Sequence, residues 1–299
     1  MNIMNKSFVS IIIPTYNDWE RLSLCLQSLS AQTYPQELFE IIVVNNKRGD
    51  KSPEKLIKPD NCLLIDETKP GSYAARNAAI KIAKGEILGF TDSDCIPDKN
   101  WISNIVEFLE QHKEIKRVGG AINIFFKKSV PSKVELYDEI FAFPQEAYVK
   151  SGNAVTANMF TYKSVFHEIG MFNESLMSGG DYQWGMLAHR KGFPIAYAPT
   201  AIVNHPARQS VKELVVKAKR VGKGQANFKS PQDRNLIEFT GKIIDLLKPR
   251  IWEIKRIFQQ GRNLSLSHKL YLVLLRHYVV LRGEYARLRN ESQRKESVS

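Results

Sequence analysis

Three apolar runs that each stop at polar residues constrain this chain more than any other feature. Phe8-Val9-Ser10-Ile11-Ile12-Ile13 stops at Pro14, Glu40 to Val44 stops at Asn45-Asn46, and Ile87 to Thr91 stops at Asp92-Ser93-Asp94. Near-continuous apolar runs of this length suit strands covered on both faces, as in a parallel sheet. A shorter run, Cys62 to Ile65, predicts one more strand. Helical spacing separates these runs. Asp18 is a good N-cap residue, and Leu22, Cys25, Leu26 and Leu29 then recur on one face. Tyr73 to Lys84 sets Ala74, Ala75, Ala78, Ala79 and Ile82 on a packing side, with Gly85 as a C-terminal cap. Another helix starts near Asn100, with Trp101, Ile102, Ile105, Val106 and Leu109 inward. This alternation predicts an α/β fold with a doubly wound, mainly parallel sheet. Ligands of such sheets bind beyond the C-terminal strand ends. Pro14-Thr15-Tyr16, Asn45-Asn46 and Asp92-Ser93-Asp94 are therefore expected to line one crevice.

After about residue 120 the pattern changes. Residues 125–150 read as irregular, with Phe125, Phe126, Phe141, Phe143 and Tyr148 among charges and prolines. Aromatic loops of this length often cover a site. Asp181 to Arg190 predicts a helix closed by Gly192, and Ile195 to Tyr197 and Ala201 to Val203 predict two short strands. Helical patterns dominate from Val211, with a polar, frayed end from Asn290. The expected division is one α/β domain over 1–210 and a helical extension over 211–299.

Charge follows the same division. The chain carries 43 Lys and Arg against 31 Asp and Glu, yet residues 205–299 hold 21 of the basic and only 8 of the acidic residues. The entire excess sits in the last third, which points to an anionic surface, phospholipid or nucleic acid. The sequence shows no nucleic-acid-binding motif, so a membrane is the expected partner. Leu270 to Leu281 is apolar, 12 residues long and interrupted by Arg276, which is too short to span a bilayer. Flanked by Lys269, Arg282, Arg287 and Arg289, it reads as a helix lying on an anionic leaflet, or else as a core or dimer helix. Met1 to Val9 holds no apolar core of signal-peptide length. The three cysteines, Cys25, Cys62 and Cys95, have no metal spacing and fit reduced thiols. The expected location is the cytoplasm, at the inner face of the plasma membrane.

Two carboxylates one residue apart on a tight turn, Asp92 and Asp94, can face one divalent cation. Mg²⁺ is typically held by one or two carboxylates, with phosphates of a bound nucleotide as further ligands. The plainer reading is an Asp-rich turn that closes a strand.

Five blocks in order decide between these readings. They are Ser10-Ile11-Ile12-Ile13-Pro14-Thr15-Tyr16-Asn17, Ile41-Ile42-Val43-Val44-Asn45-Asn46, Gly71-Ser72-Tyr73-Ala74-Ala75-Arg76-Asn77-Ala78, Thr91-Asp92-Ser93-Asp94 and Gly179-Gly180-Asp181-Tyr182-Gln183-Trp184. Over roughly residues 7–210 the chain resembles family 2 glycosyltransferases, which have the GT-A fold and use nucleotide-sugar donors. The resemblance implies an inverting transferase dependent on Mg²⁺ or Mn²⁺. It moves a sugar, from a UDP-sugar by preference, to a hydroxyl of a glycan or lipid-linked acceptor in cell-surface or extracellular polysaccharide synthesis. Asp181 is the implied general base, Asp94 the direct metal ligand, and Asp92 a contact to ribose or, through water, to the metal. His205 is an implied third ligand, although a lone histidine beside proline is more often structural. Pro14, Thr15 and Tyr16 are expected at the base, with Asn46 at its edge and Arg76 on the diphosphate or over the base. Plainer readings are Tyr16 packed on the first helix, Arg76 paired with Asp66 or Glu67, Asp181 as a helix cap, and Trp184 in the core rather than on a sugar.

The chain departs from the family pattern twice. Asn45-Asn46 stands where the second strand usually ends in Asp, and Gly180 stands where a glutamate often precedes the catalytic Asp. Arg220 to Gln225 is basic and glycine-rich and reads as a lid over the pyrophosphate. The competing functions are a nucleotidyltransferase, which lacks its glycine-rich signature here, and a non-catalytic nucleotide or nucleic-acid binder.

Overall fold

The structure, a computed structural model, describes residues 7–228 and 250–296. The chain forms two units, Met1–Phe125 with Phe143–Pro206, and Phe126–Ala142 with Ala207–Ser299. The first unit carries the sheet: β1 (Val9–Thr15), β2 (Phe39–Asn45), β3 (Cys62–Asp66), β4 (Ile87–Phe90), β5 (Ile96–Pro97), β6 (Arg117–Phe125), β7 (Met159–Tyr162) and β8 (Ile195–Pro206). Its helices are α1 (Trp19–Ser30), α2 (Ser72–Ile82), α3 (Trp101–Gln111), α5 (Gln145–Lys150), α6 (Lys163–Ile169) and α7 (Gly180–Arg190). The second unit contains α4 (Lys133–Phe141), α8 (Val211–Gln225), α9 (Ile251–Gln260) and α10 (Leu266–Glu296).

The strand order is β3-β2-β1-β4-β7-β6-β8-β5. The first half is parallel, with Thr15 beside Asn45 and Asn45 beside Asp66, so the polar ends of three strands line up. Ile11, Ile13, Ile41 and Val43 form one core with Leu22, Leu26 and Leu29 of α1 and Trp101 and Ile105 of α3. The alternate residues Ile12, Ile42 and Val44 are buried on the other face, where α2 packs along β1 and β2. Burial on both faces accounts for the unbroken apolar runs. The second half differs from the sequence expectation. β7 runs antiparallel to both β4 and β6, and the two short strands expected between 195 and 203 are one strand, β8. The register of this pair shifts between Gly120 and Ala121, which face Ala198 and Ile202, so β8 bulges at Pro199 to Ala201, and a Cβ on Gly120 would lie 2.3 Å from the Ala201 carbonyl oxygen.

Several local expectations change. Gly85 is not a left-handed cap: it lies where β4 begins, and a Cβ there would sit 2.5 Å from the Ser10 nitrogen. Trp184 is a core residue, stacked on Phe166 at 4.4 Å with its indole N–H donated to Gly170 O. Residues 126–142 are not an irregular cover. They hold α4, started by a capping box in which Ser132 and Glu135 serve each other's backbone N–H groups. Asp138 of α4 is buried and takes both oxygens of its carboxylate to Arg208 Nη1 at 3.0 Å, which ties this excursion into the second unit. The expected division at 210 and 211 did not include it. Arg220 to Gln225 is helical, with Gly222 and Gly224 buried, so it is not a phosphate-cradling loop. α10 runs on through Glu296 instead of fraying from Asn290.

The second unit packs Tyr137, Ile140, Leu214, Ile257, Leu272, Leu275 and Val279 together. Inside it Arg276 donates to Glu253 at 2.6 Å and lies over the Phe141 ring at 4.5 Å. α10 thus turns one face to this core, as a packing helix. Leu266, Leu270, Leu274 and Tyr278, at four-residue spacing, remain exposed.

One buried charge braces the first unit. Arg117 opens β6 with no exposed surface and donates to Gly152 O, Gly185 O and Phe193 O at 3.1, 3.0 and 2.8 Å. Burial lowers its pKa to about 10. It joins the middle of α7 to the loop that follows that helix and to the loop after α5. Arg117→Ala leaves a void and three carbonyls without this donor, and each orphaned group costs about 1–3 kcal/mol. The variant is expected to lose at least about 3 kcal/mol in denaturant unfolding. A loss within 1 kcal/mol would show that the brace is dispensable.

Candidate active site

The ends of β1, β2 and β4 meet the first turns of α1 and α2. β4 ends at Phe90, and Thr91 donates its N–H to Ile12 O at 3.3 Å, so the Asp92-Ser93-Asp94 turn begins beside β1. Asp18 occupies the N-cap position of α1 but makes no side-chain cap bond. Its carboxylate instead accepts from Arg21 Nε at 2.7 Å and from Ser93 Oγ at 3.1 Å, which pins the turn to α1. Arg21 also reaches Asp94 Oδ2 at 3.3 Å. Neither Asp18 nor Arg21 was expected at the site. Their three-residue spacing at a helix start, just past a strand end, was the available signal.

Asp94 lies beside His205, with Oδ2 3.7 Å from Nε2. His205 Nδ1 is 2.8 Å from Pro206 O. A carbonyl can only accept, so Nδ1 carries a proton, and in the neutral tautomer Nε2 is the ring nitrogen left to ligate a cation beside Asp94. A histidine fixed this way through its second nitrogen is the usual form of a metal ligand. Asp94, Cys95 and His205 offer ligand atoms within 4.8 Å of one another. Burial pushes the Cys95 thiol well above the ordinary range, with the two nearby aspartates adding to it. The carboxylate and the imidazole of this group are donors that suit a divalent cation.

Asp92 does not join that cluster. Its Oδ1 accepts from Arg76 Nη2 at 2.5 Å. Arg76 is buried, pairs with neither Asp66 nor Glu67, and leaves its Nε without a partner. Thr15 Oγ1 is a second buried polar atom with no partner, at the end of β1. Both lie where the sequence expects a nucleotide, and orphaned buried donors call for an explanation of that kind. Tyr16 is 67% exposed, so it does not pack on α1. Pro14 stays in β1 beside Val44. Asn46 is committed to the protein: its amide donates to Glu67 O and Lys69 O at 2.9 and 2.8 Å and accepts from Gly71 N at 2.7 Å. Its side chain fixes the loop into α2, and both amide protons are used.

Asp181 sits in the first turn of α7. Its Oδ1 accepts from Tyr73 Oη at 2.9 Å and from Tyr182 N at 2.9 Å, and its Oδ2 from Thr156 N at 3.4 Å. Tyr73 is a site residue the sequence reading missed, although it stands inside the Gly71 to Ala78 block. Burial, and then the Asp181 charge, raise its pKa, so it holds its proton and donates. Gly179 is left-handed at φ +82, and a Cβ on Gly180 would come within 2.8 Å of the Tyr73 ring. The two glycines admit that ring beneath the start of α7.

Comparison with known proteins gives this geometry its context. The sequence matches the glycosyl transferase family 2 profile over residues 10–170. It is 36% identical over 224 residues to glycosyltransferase AglE of Haloferax volcanii, covering 73% of each chain. It is 26% identical over 225 residues to dolichyl N-acetyl-alpha-D-glucosaminyl phosphate 3-beta-D-2,3-diacetamido-2,3-dideoxy-beta-D-glucuronosyltransferase of Methanococcus voltae, covering 70% of each. The solved structure of mannosyltransferase PcManGT from Pyrobaculum calidifontis, in complex with GDP-Man and Mn²⁺, shares the fold at 18% identity with a TM-score of 0.59, over 95% of this chain and 87% of that one. The expected architecture, a GT-A-type sheet followed by helices, is therefore the one the chain has. Sequence identity at this level across most of the chain marks common descent, and the chain belongs to glycosyl transferase family 2, as a glycosyltransferase.

Proposed function

We propose that this glycosyltransferase moves a sugar, with inversion, from a nucleoside-diphosphate donor to a hydroxyl of a glycan or lipid-linked acceptor, and that Asp181 is its general base. The observation that carries the reading is the anchoring of the Asp181 carboxylate by Tyr73, Tyr182 and Thr156, which fixes an acceptor of protons at a helix start. In the reaction, the acceptor oxygen attacks the anomeric carbon, its proton passes to Asp181, and the bond to the diphosphate oxygen breaks. One carboxylate on the face opposite the leaving group suffices. Asp94 and His205 would hold Mg²⁺ or Mn²⁺, which supplies Lewis-acid stabilisation of the diphosphate when bound. Arg76 and Arg21 add fixed positive charge beside Asp92 and Asp94. Thr15 and Tyr16 face the nucleotide, while Asn46 acts through the loop it holds. A UDP-sugar is the favoured donor. The acceptor class draws support from the Methanococcus voltae relative, whose name specifies a dolichyl-phosphate-linked sugar.

We further propose that the chain works at the cytoplasmic face of the plasma membrane, in cell-surface or extracellular glycan synthesis. No helix among the described residues is long and apolar enough to cross a membrane. Leu266 and Leu274 are 64% and 71% exposed on α10, Trp252 and Phe258 are exposed on α9, and Lys255, Arg262 and Lys269 stand among them. Apolar side chains interleaved with cations suit the interface of an anionic leaflet.

Incubation with a panel of nucleotide sugars and Mn²⁺, read by mass analysis of released nucleoside diphosphate, is expected to give turnover with a UDP-sugar. Asp94→Ala should abolish it together with metal-dependent donor binding. Asp181→Asn should keep donor binding and lower kcat by about 10²–10⁴. A kcat within a few-fold of the parent would assign the base elsewhere.

Tyr73→Phe removes one donor and leaves the ring in place. It should lower kcat by about tenfold or more while donor KM stays within twofold, because the loss is one of orientation. A matched rise in donor KM with unchanged kcat would move Tyr73 out of this role.

Leu270→Glu with Leu274→Glu should cut flotation on phosphatidylglycerol vesicles at least tenfold without lowering the melting temperature, since both side chains lie outside the core. Undiminished flotation would end the membrane assignment of this face.

A further inference from the structure

We propose that the second unit contains a phosphate-binding cleft at the crossing of α8 and α10, built from none of the residues of the sugar-transfer site. The crossing is very close. A Cβ on Gly222 of α8 would lie 2.1 Å from Gly283 O of α10, and one on Gly283 would lie 3.2 Å from Ala218 O. Glycine on both helices brings the backbones together. The residues next to the crossing then share one space. Lys219 and Lys223, four apart on α8, and Tyr285 and Arg289, four apart on α10, line a cavity of about 300 Å³ with Asn290. Asn290 Nδ2 donates to Lys223 O at 3.2 Å and fixes the rim.

The chemistry of this lining is one-sided. Among the described residues it holds three cations, a phenol and amides, and no Asp or Glu. The nearest acidic side chains along α10, Glu284 and Glu291, are each bound by Arg287 at 3.2 Å. Three like charges around one small space repel one another, and a multivalent anion relieves that repulsion. A phosphate has the acceptor oxygens to serve ammonium, guanidinium and phenol donors together. The volume admits a phosphate with part of its ester group and lies at the small end of ligand sites. The ligand class is therefore a phosphate ester, from an anionic lipid headgroup or a soluble phosphate. Gly222, part of the run that suggests a pyrophosphate lid in the sequence, serves instead to build this crossing.

The test uses the full chain and titration calorimetry at 50 mM salt, with inorganic phosphate and with monomeric dihexanoyl phosphatidic acid as probes. Saturable binding of at least one probe is expected. Tighter binding of the phosphatidic acid identifies a headgroup as the source, and equal or tighter binding of inorganic phosphate identifies a soluble one. Combined Lys219→Ala, Lys223→Ala and Arg289→Ala should weaken binding about a hundredfold, and Lys223→Gln alone, at an exposed side chain that carries no packing, about fivefold. Lys127→Ala, Lys128→Ala and Lys212→Ala remove the same charge elsewhere on the unit, at exposed side chains, and should leave affinity within twofold. Equal losses in the two triple variants, no effect of the cleft variants, or no saturable binding of either probe would overturn the site. Because the readout is binding, it stands or falls independently of turnover and of Asp181.

Discussion

The N-terminal half of α2 holds two of the carboxylates on which the site depends, Asp181 and Asp92. Tyr73 and Arg76 stand three residues apart, hence on one side of the helix. Tyr73 donates to Asp181, which lies 108 positions away in sequence, and Arg76 donates to Asp92. Arg76 also lies over the Tyr73 ring at 5.8 Å. A buried guanidinium is costly unless paired, so Arg76 fixes the Asp92 turn as firmly as Asp92 fixes Arg76. The position of α2 is set in turn by Asn46, whose Oδ1 takes the Gly71 N–H at the helix entrance. The end of β2, the start of α2, the end of β4 and the start of α7 are thus one connected arrangement. None of the four can shift without breaking a hydrogen bond to a charged or buried group.

What the sequence made legible was the parallel half of the sheet. Ile11 to Ile13 and Ile41 to Val44 are buried on both faces, and that burial produces a pattern visible without any knowledge of partners. The antiparallel half was not legible, for reasons of length and composition. β7 is four residues long, and β6 begins Arg117-Val118-Gly119-Gly120, where a buried arginine and two glycines mimic a loop. Those residues look irregular because they serve tertiary needs: Arg117 reaches three carbonyls, and Gly120 meets β8. In the site, Asp92, Asp94 and His205 stand at strand ends and Asp181 at a helix start, and each could be proposed alone. Tyr73 could not, because nothing local distinguishes a tyrosine that reaches a carboxylate across the fold from one that packs. The helix after residue 126 was signalled by Ser132-x-x-Glu135, a capping box hidden among prolines and lysines.

The second unit shows why a basic composition does not by itself describe a surface. Two of its arginines, Arg208 and Arg276, are turned toward buried carboxylates, Asp138 and Glu253, and contribute to packing. Arg276, which interrupts the apolar run of α10, therefore does not mark the polar side of an interfacial helix. The core face of α10 carries Leu272, Leu275 and Val279, and the exposed face carries Leu266, Leu270, Leu274 and Tyr278. The helix is apolar on two sides, and one-dimensional hydropathy cannot separate them. A core face and an exposed apolar face are therefore not alternatives, since one segment carries both on different residues.

Both departures from the family pattern follow from the contacts these positions make. Asn46 gives two protons to carbonyl oxygens and takes one from Gly71. An aspartate there would accept from Gly71 but would turn a carboxylate oxygen toward two carbonyl oxygens, with no proton between them. The amide is the one side chain of that size that closes this loop, so the loss of charge at the strand end accompanies a different loop into α2. The same reasoning applies to Gly180. A side chain at 180 would begin with a Cβ 2.8 Å from the Tyr73 ring, so a bulky ring under the start of α7 and a glutamate before Asp181 cannot coexist without a shift. Here the ring occupies the space, and its hydroxyl reaches the carboxylate of the next residue. Gly180 is therefore coupled to Tyr73: the chain has exchanged a second acidic side chain before Asp181 for a hydrogen-bond donor beneath it.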